Sequence, residues 1–143
     1  MQNLPLIALA PLVLLVAALP FAFHPGRRPG RLPFAAESAT LAALALALAG
    51  IVQLLVGGPQ SLTLAGSVIL RLDAVSGTLV LLVSFIGWVV VRYSRRYLDG
   101  EAWEGRFHGM TLAAIACVLL LVQAASLPVL VLTFMATGLL LRQ

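Results

Sequence analysis

Residues 89–110 read VVVRYSRRYLDGEAWEGRFHGM and hold four arginines and three carboxylates. Nowhere else is charge so dense, because only 10% of the chain is Asp, Glu, Lys or Arg while 62% is hydrophobic. Soluble domains carry roughly 25% charged residues, so the composition excludes an ordinary water-soluble globule. The mean hydropathy of +1.08 agrees. Three readings of the stretch compete: an active-site loop, a nucleic-acid grip, or the wet connection between two membrane spans. The net charge of +4 comes from nine arginines with no lysine. A pI near 10.7 would ordinarily raise nucleic acid as a partner. Here the basic residues are confined to short breaks between apolar runs, so no nucleic acid is expected and membrane lipid is the surrounding medium. The stretch reads as a connection between spans.

Its flanks support that reading. A helix needs about 20 apolar residues to cross a ~30 Å hydrocarbon core. Residues 74–91, AVSGTLVLLVSFIGWVVV, precede the stretch and residues 110–125 follow it. Farther out, spans are expected at 4–23, 37–56 and 127–143. The fold class is therefore an all-α integral membrane protein of about five transmembrane helices. Pro5 and Pro20 mark the ends of the first span, and Pro11 should kink it. A cleaved signal peptide is the rival for an apolar N-terminus, but "MQN" lacks a basic residue and the run is too long. Residues 24–33, HPGRRPGRLP, are loop chemistry. Alanine crowds the second span, which lets neighbouring backbones approach. Residues 57–73 are too short and polar-ended to span, and read as an extended or hairpin-like interfacial connection.

Arginine placement orients the bundle. Loops kept in the cytoplasm collect Arg and Lys. Arg27, Arg28 and Arg31 lie in the first loop, and Arg92, Arg95, Arg96 and Arg106 in the third, residues 92–109. The connection at 57–73 has only Arg71, offset by Asp73, and the turn around Ser126 has none. Five spans with the N-terminus outside satisfy this pattern, with 57–73 extracytoplasmic, 92–109 cytoplasmic and Arg142 on the cytoplasmic side. Trp88 and Tyr93 suit the membrane–water interface.

No constellation spaces like a hydrolytic or metal site. His24 and His108 read as interfacial residues on different loops. Asp99, Glu101 and Glu104 share their loop with arginines, where local pairing is expected at ~0–1 kcal/mol per exposed pair. The single cysteine, Cys117, permits no disulfide or zinc cluster and reads as a small buried side chain. No phosphate-binding or dinucleotide loop is present. Catalytic, cofactor-binding and metal-ligating residues are thus expected to be absent, and the chain is not expected to be an enzyme. Asp73 and Glu37 stand where a first-turn carboxylate would cap a helix. Gln53 and Gln123 read as interhelical or interfacial hydrogen-bonding groups. Asp73, Thr137 and Arg142 are the candidates for an ion path.

Two stretches carry a family resemblance. Residues 70–107 are similar to the N-terminal part of the antiporter-like large membrane subunit of respiratory complex I. The resemblance rests on Asp73, Ala74, Val75 and Ser76, then Tyr93, Ser94, Tyr97, Gly100, Arg106 and Phe107. Around them, the loop signature Arg92, Tyr93, Ser94, Arg95, Arg96, Tyr97 resembles the membrane subunit (DabB) of Dab inorganic-carbon accumulation complexes. In the last helix the complex I subunit has a Trp-Glu-Gly-Val-Gly motif whose glutamate belongs to a proton pathway. Here Phe134 stands for the Trp, Met135 for the Glu, Ala136 for the Gly and Thr137 for the Val, leaving Gly138. Methionine carries no proton. The form ATGLLLRQ looks instead like the DabB branch, with Gly138 where that branch usually has serine.

The resemblance implies a cation-conducting membrane subunit, the proton being the foremost candidate, in a bacterial cytoplasmic membrane. It also implies a DabA-like partner similar to a β-type carbonic anhydrase, which would hold the zinc and trap carbon dioxide as bicarbonate. No cofactor is implied in this chain. The alternatives are a proton-translocating subunit of complex I or of a multi-subunit cation/proton antiporter, and a non-conducting scaffold. Members of the superfamily are longer and carry their lysine-bearing helices beyond this region. The chain is therefore expected to be the first part of a larger bundle.

Overall fold

In a computed structural model, residues 6–23, 32–64, 66–98 and 103–142 are described. Five helices and one hairpin follow in the order α1 (Leu6–Phe23), α2 (Leu32–Gly57), β1 (Gln60–Leu64), β2 (Ser67–Leu72), α3 (Ala74–Tyr97), α4 (Glu104–Gln123) and α5 (Leu127–Leu141). The stretches Phe34–Gly57, Ala74–Tyr97 and Glu104–Gln123 are long and apolar enough to cross a membrane. The apolar stretches Ala8–Phe21 and Leu127–Leu141 are shorter. With 15 residues, α5 rises about 22 Å, less than a full hydrocarbon core.

The helices overrun the apolar runs because hydropathy reads the solvent while helix propensity reads the backbone. Residues 92–97, expected in a loop, are the last turns of α3, and residues 104–109 are the first turns of α4. Arginine is a good helix former and its stem can reach back along apolar surface. Likewise α2 starts at Leu32, with Pro33 in its first turn, where a proline costs no hydrogen bond. Glu37 therefore sits in the second turn and is not the first-turn cap expected of it. In α1 both Pro11 and Pro20 lie inside the helix, so Pro20 does not end it. His24, Arg27, Arg28, Arg31, Asp99, Gly100 and Glu101 lie outside the described residues.

Packing follows small residues. Ala36, Ala39, Ala43 and Ala47 form a buried stripe along α2 at helical spacing. Helix α1 packs between α2 and α4, α2 and α4 both pack on α3, and α5 leans on α4. Leu14, Phe21, Val80, Val91, Leu112 and Leu119 fill the centre. The outer surface is as apolar as the inside: Leu55, Phe85, Leu132 and Phe134 are all exposed. That inversion suits lipid rather than water.

The connection read as hairpin-like is a two-stranded antiparallel hairpin, with Gln60 opposite Leu72 and Leu64 opposite Ser67. Gly66, at φ 81°, occupies the left-handed conformation that its turn requires. A bulge separates Leu62 from Thr63. The hairpin is fastened to the α4–α5 turn, where the Ala125 N–H donates to the Ile69 carbonyl at 2.9 Å. A bridge joins Leu70 to Ala124 beside it. At this hairpin end the Leu6 N–H also donates to Gln53 Oε1 at 3.2 Å, tying the start of α1 to α2. The opposite, loop end holds the start of α2, the end of α3 and the start of α4.

Candidate functional site

Asp73 is the N-cap of α3. Its carboxylate accepts from the Ser76 N–H at 2.9 Å, and the Asp73 N–H donates to Ser76 Oγ at 2.9 Å. This reciprocal pair satisfies donors that the first helical turn would leave unpaired. The backbone N–H of Ser76, then its hydroxyl, hold the Asp73 carboxyl below its ordinary pKa. A depressed carboxylate stabilises the fold above its unfolded pKa and loses that effect only as pH falls through the folded value. The cap is accordingly expected to be indifferent to pH from neutrality to about 4. Asp73→Ala should lower the thermal midpoint, while Asp73→Asn, a good cap itself, should lose less. Equal midpoints for wild type and Asp73→Ala in a detergent melt would remove the cap from the account.

At the loop end the arginines divide into two kinds. Arg95 pairs with Glu37 across α2 and α3, with only 28% and 17% of the two side chains exposed. Its guanidinium also lies 4.1 Å from the centre of the Phe34 ring. The partner is 58 positions away rather than in the same loop, where pairing was expected. Arg92, by contrast, is exposed and lies over Trp88 at 5.3 Å. Arg96 is exposed too, and Tyr93 and Tyr97 stack on the outer surface with centroids 6.1 Å apart. Ser94 is buried. Thus one arginine of the signature joins helices, and its neighbours face outward.

His108 is the largest departure from the sequence reading. It was expected at an interface, yet its side chain is fully buried on α4. Among the described residues, neither Nδ1 nor Nε2 has a hydrogen-bond partner. Phe21 of α1 and Phe107 flank the imidazole at centroid distances of 6.2 and 5.9 Å. Glu104, one turn earlier, is also buried, and Leu112, Ala116 and Leu119 continue the same stripe to Gln123. The helical spacing of Glu104, His108 and Leu112 was the signal that would have placed His108 on a packed face. A groove of about 650 Å³ opens beside it, walled by Leu19 and Phe21 of α1, Arg106, Gly109 and Met110 of α4, and Leu140 of α5.

The three ion-path candidates do not converge. Asp73 lies at the hairpin end, and Arg142 is exposed at the C-cap of α5 toward the loop end. Thr137 lies between them on α5, and its hydroxyl donates to the Thr133 carbonyl at 2.7 Å. Met135 is exposed on the same helix. Among the described residues, no three His, Cys, Asp or Glu side chains gather as a metal set.

Comparison with known proteins adds two findings. The family model for the N-terminus of chain 5 of NADH–ubiquinone oxidoreductase (complex I) matches residues 60–108, from the hairpin through α3 to His108. The protein named probable inorganic carbon transporter subunit DabB2, from Halothiobacillus neapolitanus strain ATCC 23641 / c2, is 38% identical over 109 residues. That alignment covers 69% of this chain and 20% of the relative, so the chain spans about a fifth of its relative's length.

Proposed function

Because this chain belongs with the complex I-type antiporter-like membrane subunits, close to the DabB kind, we propose that it serves in cation-driven uptake of inorganic carbon. In this reading the complete subunit conducts a cation, the proton first among candidates, down its gradient across a bacterial cytoplasmic membrane. The energy released drives a DabA-like partner, similar to a carbonic anhydrase, that holds zinc and delivers bicarbonate inside. The chain's own part is structural and electrical: it frames one side of the path and presents the loop-end surface.

The observation that carries this reading is the 38% identity with DabB2 over 109 residues. The chemistry of α5 supports it, since Met135 is an exposed thioether where the resembled respiratory subunits place a proton-carrying glutamate. A second reading, a proton-translocating subunit of a respiratory or multi-subunit antiporter complex, is favoured by the match over hairpin and α3.

Affinity purification of the full subunit from its native membrane, followed by intact mass and metal analysis, separates the two. A zinc-bearing partner, with bicarbonate uptake that needs both proteins and collapses with a protonophore, is the expected result. Recovery of quinone-reductase or antiporter subunits in its place would transfer the assignment to the second reading.

A further inference from the structure

The burial of His108 does not follow from packing alone. Its ring occupies a fully buried position with both nitrogens unpartnered among the described residues, while Leu112 and Leu119 serve the same stripe without a polar atom. An imidazole always presents at least one donor, and when neutral one acceptor. Leaving such groups unpaired in an apolar setting is costly, and an ionisable residue inside a membrane bundle ordinarily has a task. A phenylalanine would fill the space between Phe21 and Phe107 without that cost. The position is therefore built for the ring nitrogens.

An open groove with Arg106 on its wall lies close by. Phe21 belongs both to the groove wall and to the aromatic pair with His108. Gly109, beside His108 in sequence, is also on that wall. Phe21 thus borders both the groove and the imidazole. Among the described residues, the charged groups at this end are Glu104 on the same stripe, Arg106 on the groove wall, the Glu37–Arg95 pair joining α2 to α3, and the exposed Arg92, Arg96 and Arg142. Described α1 brings no charged residue.

We propose that His108 is a water-reached proton-exchange position at the loop end of the bundle, entered through the α1–α4–α5 groove and gated by Phe21. This deepens, and rests on, the cation-conducting reading. A hydronium ion in the groove passes its proton to the free ring nitrogen, so that one O–H bond breaks and one N–H bond forms. The opposite N–H then breaks as its proton goes to a water oxygen, forming an O–H bond and returning the imidazole to neutrality. The Phe21 ring must swing for the groove water to arrive.

Cys117 is the one cysteine of these 143 residues, and the Cys117→Ala complex with no added cysteine sets the labelling blank. In the assembled complex in sealed vesicles, with Cys117→Ala as background, His108→Cys is treated with a charged, membrane-impermeant methanethiosulfonate. Leu112→Cys, one turn deeper and equally buried, is the control. Position 108 is expected to label at least tenfold faster than 112, from the loop side only, and Phe21→Ala should raise the rate about tenfold more. Equal rates at 108 and 112, or labelling from the hairpin side only, would overturn the proposal.

His108→Gln, which keeps a donor and an acceptor but has no titrating nitrogen, covers the case in which the cysteine variant does not assemble. It should assemble normally and lose at least tenfold of the cation flux. Full flux with an unchanged pH profile would again overturn the role. A wild-type complex with no cation flux would reject the functional reading instead, leaving the labelling contrast to decide water access at His108.

Discussion

Gly109→Ala is expected to destabilise the bundle by about 1–3 kcal/mol, the usual range for an extra methyl forced into a filled interface. A Cβ there would stand 2.7 Å from the Cβ of Phe21 and 3.9 Å from the carbonyl oxygen of Ala18. The Phe21 Cβ is fixed to its backbone, so no rotamer change relieves the overlap and α1 itself must move. Gly87→Ala is the contrasting case on the α3–α4 side. Its Cβ would approach the Ile115 Cδ1 to 2.8 Å and Cγ2 to 3.2 Å; the first ends a side chain able to turn, and the second needs only a small shift of that side chain. Replacing a helical glycine also gains up to about 1 kcal/mol of helix propensity. Gly87→Ala should therefore be close to neutral. Thermal melts of both variants in one detergent check the difference, and equal losses would mean that the α1–α4 spacing is adjustable. Gly109→Ala should also disturb His108, because Phe21 moves with α1.

The apolar runs made the five helices legible, since burying backbone in lipid requires that each segment satisfy its own hydrogen bonds. The hairpin was legible from glycine-bounded short strands, and Asp73 from its place ahead of an apolar run. What escaped had other causes. The overrun of α3 and α4 into charged sequence escaped because a hydropathy run ends where lipid ends, not where the backbone stops coiling. Glu37 and Arg95 lie on different helices and meet only once α2 and α3 are packed. His108 was read as wet because it neighbours Arg106 and Phe107 in a charged stretch. Only its helical phase with Glu104 and Leu112 places it inside. Thr137 and Arg142 share α5 with the family motif, but sequence alone does not say that the Thr137 hydroxyl turns back on its own helix.

The pairing of Glu37 with Arg95 leads to the second large effect. Exposed ion pairs contribute about 0–1 kcal/mol, whereas breaking a buried one costs about 3–5 kcal/mol. This pair is neither, with 17% of Glu37 and 28% of Arg95 exposed, so solvent screening discounts the upper figure. Removing one partner should cost about 1–3 kcal/mol, and the two removals should differ. After Glu37→Ala the guanidinium keeps its Phe34 ring and part of its water. After Arg95→Ala the more buried carboxylate is stranded, and Phe34 loses its cation as well. Arg95→Ala should therefore be the worse variant. Membrane orientation should survive it, because Arg92, Arg96 and Arg106 still mark the same end. A double-mutant cycle should return a coupling of about 1–2 kcal/mol. The exchange Glu37→Arg with Arg95→Glu should restore only part of it, since an arginine on α2 no longer reaches Phe34 from across the interface. Coupling below about 0.3 kcal/mol would make the contact incidental. The α2–α3 junction would then depend on apolar packing such as Ile51 and Leu54 against Gly77.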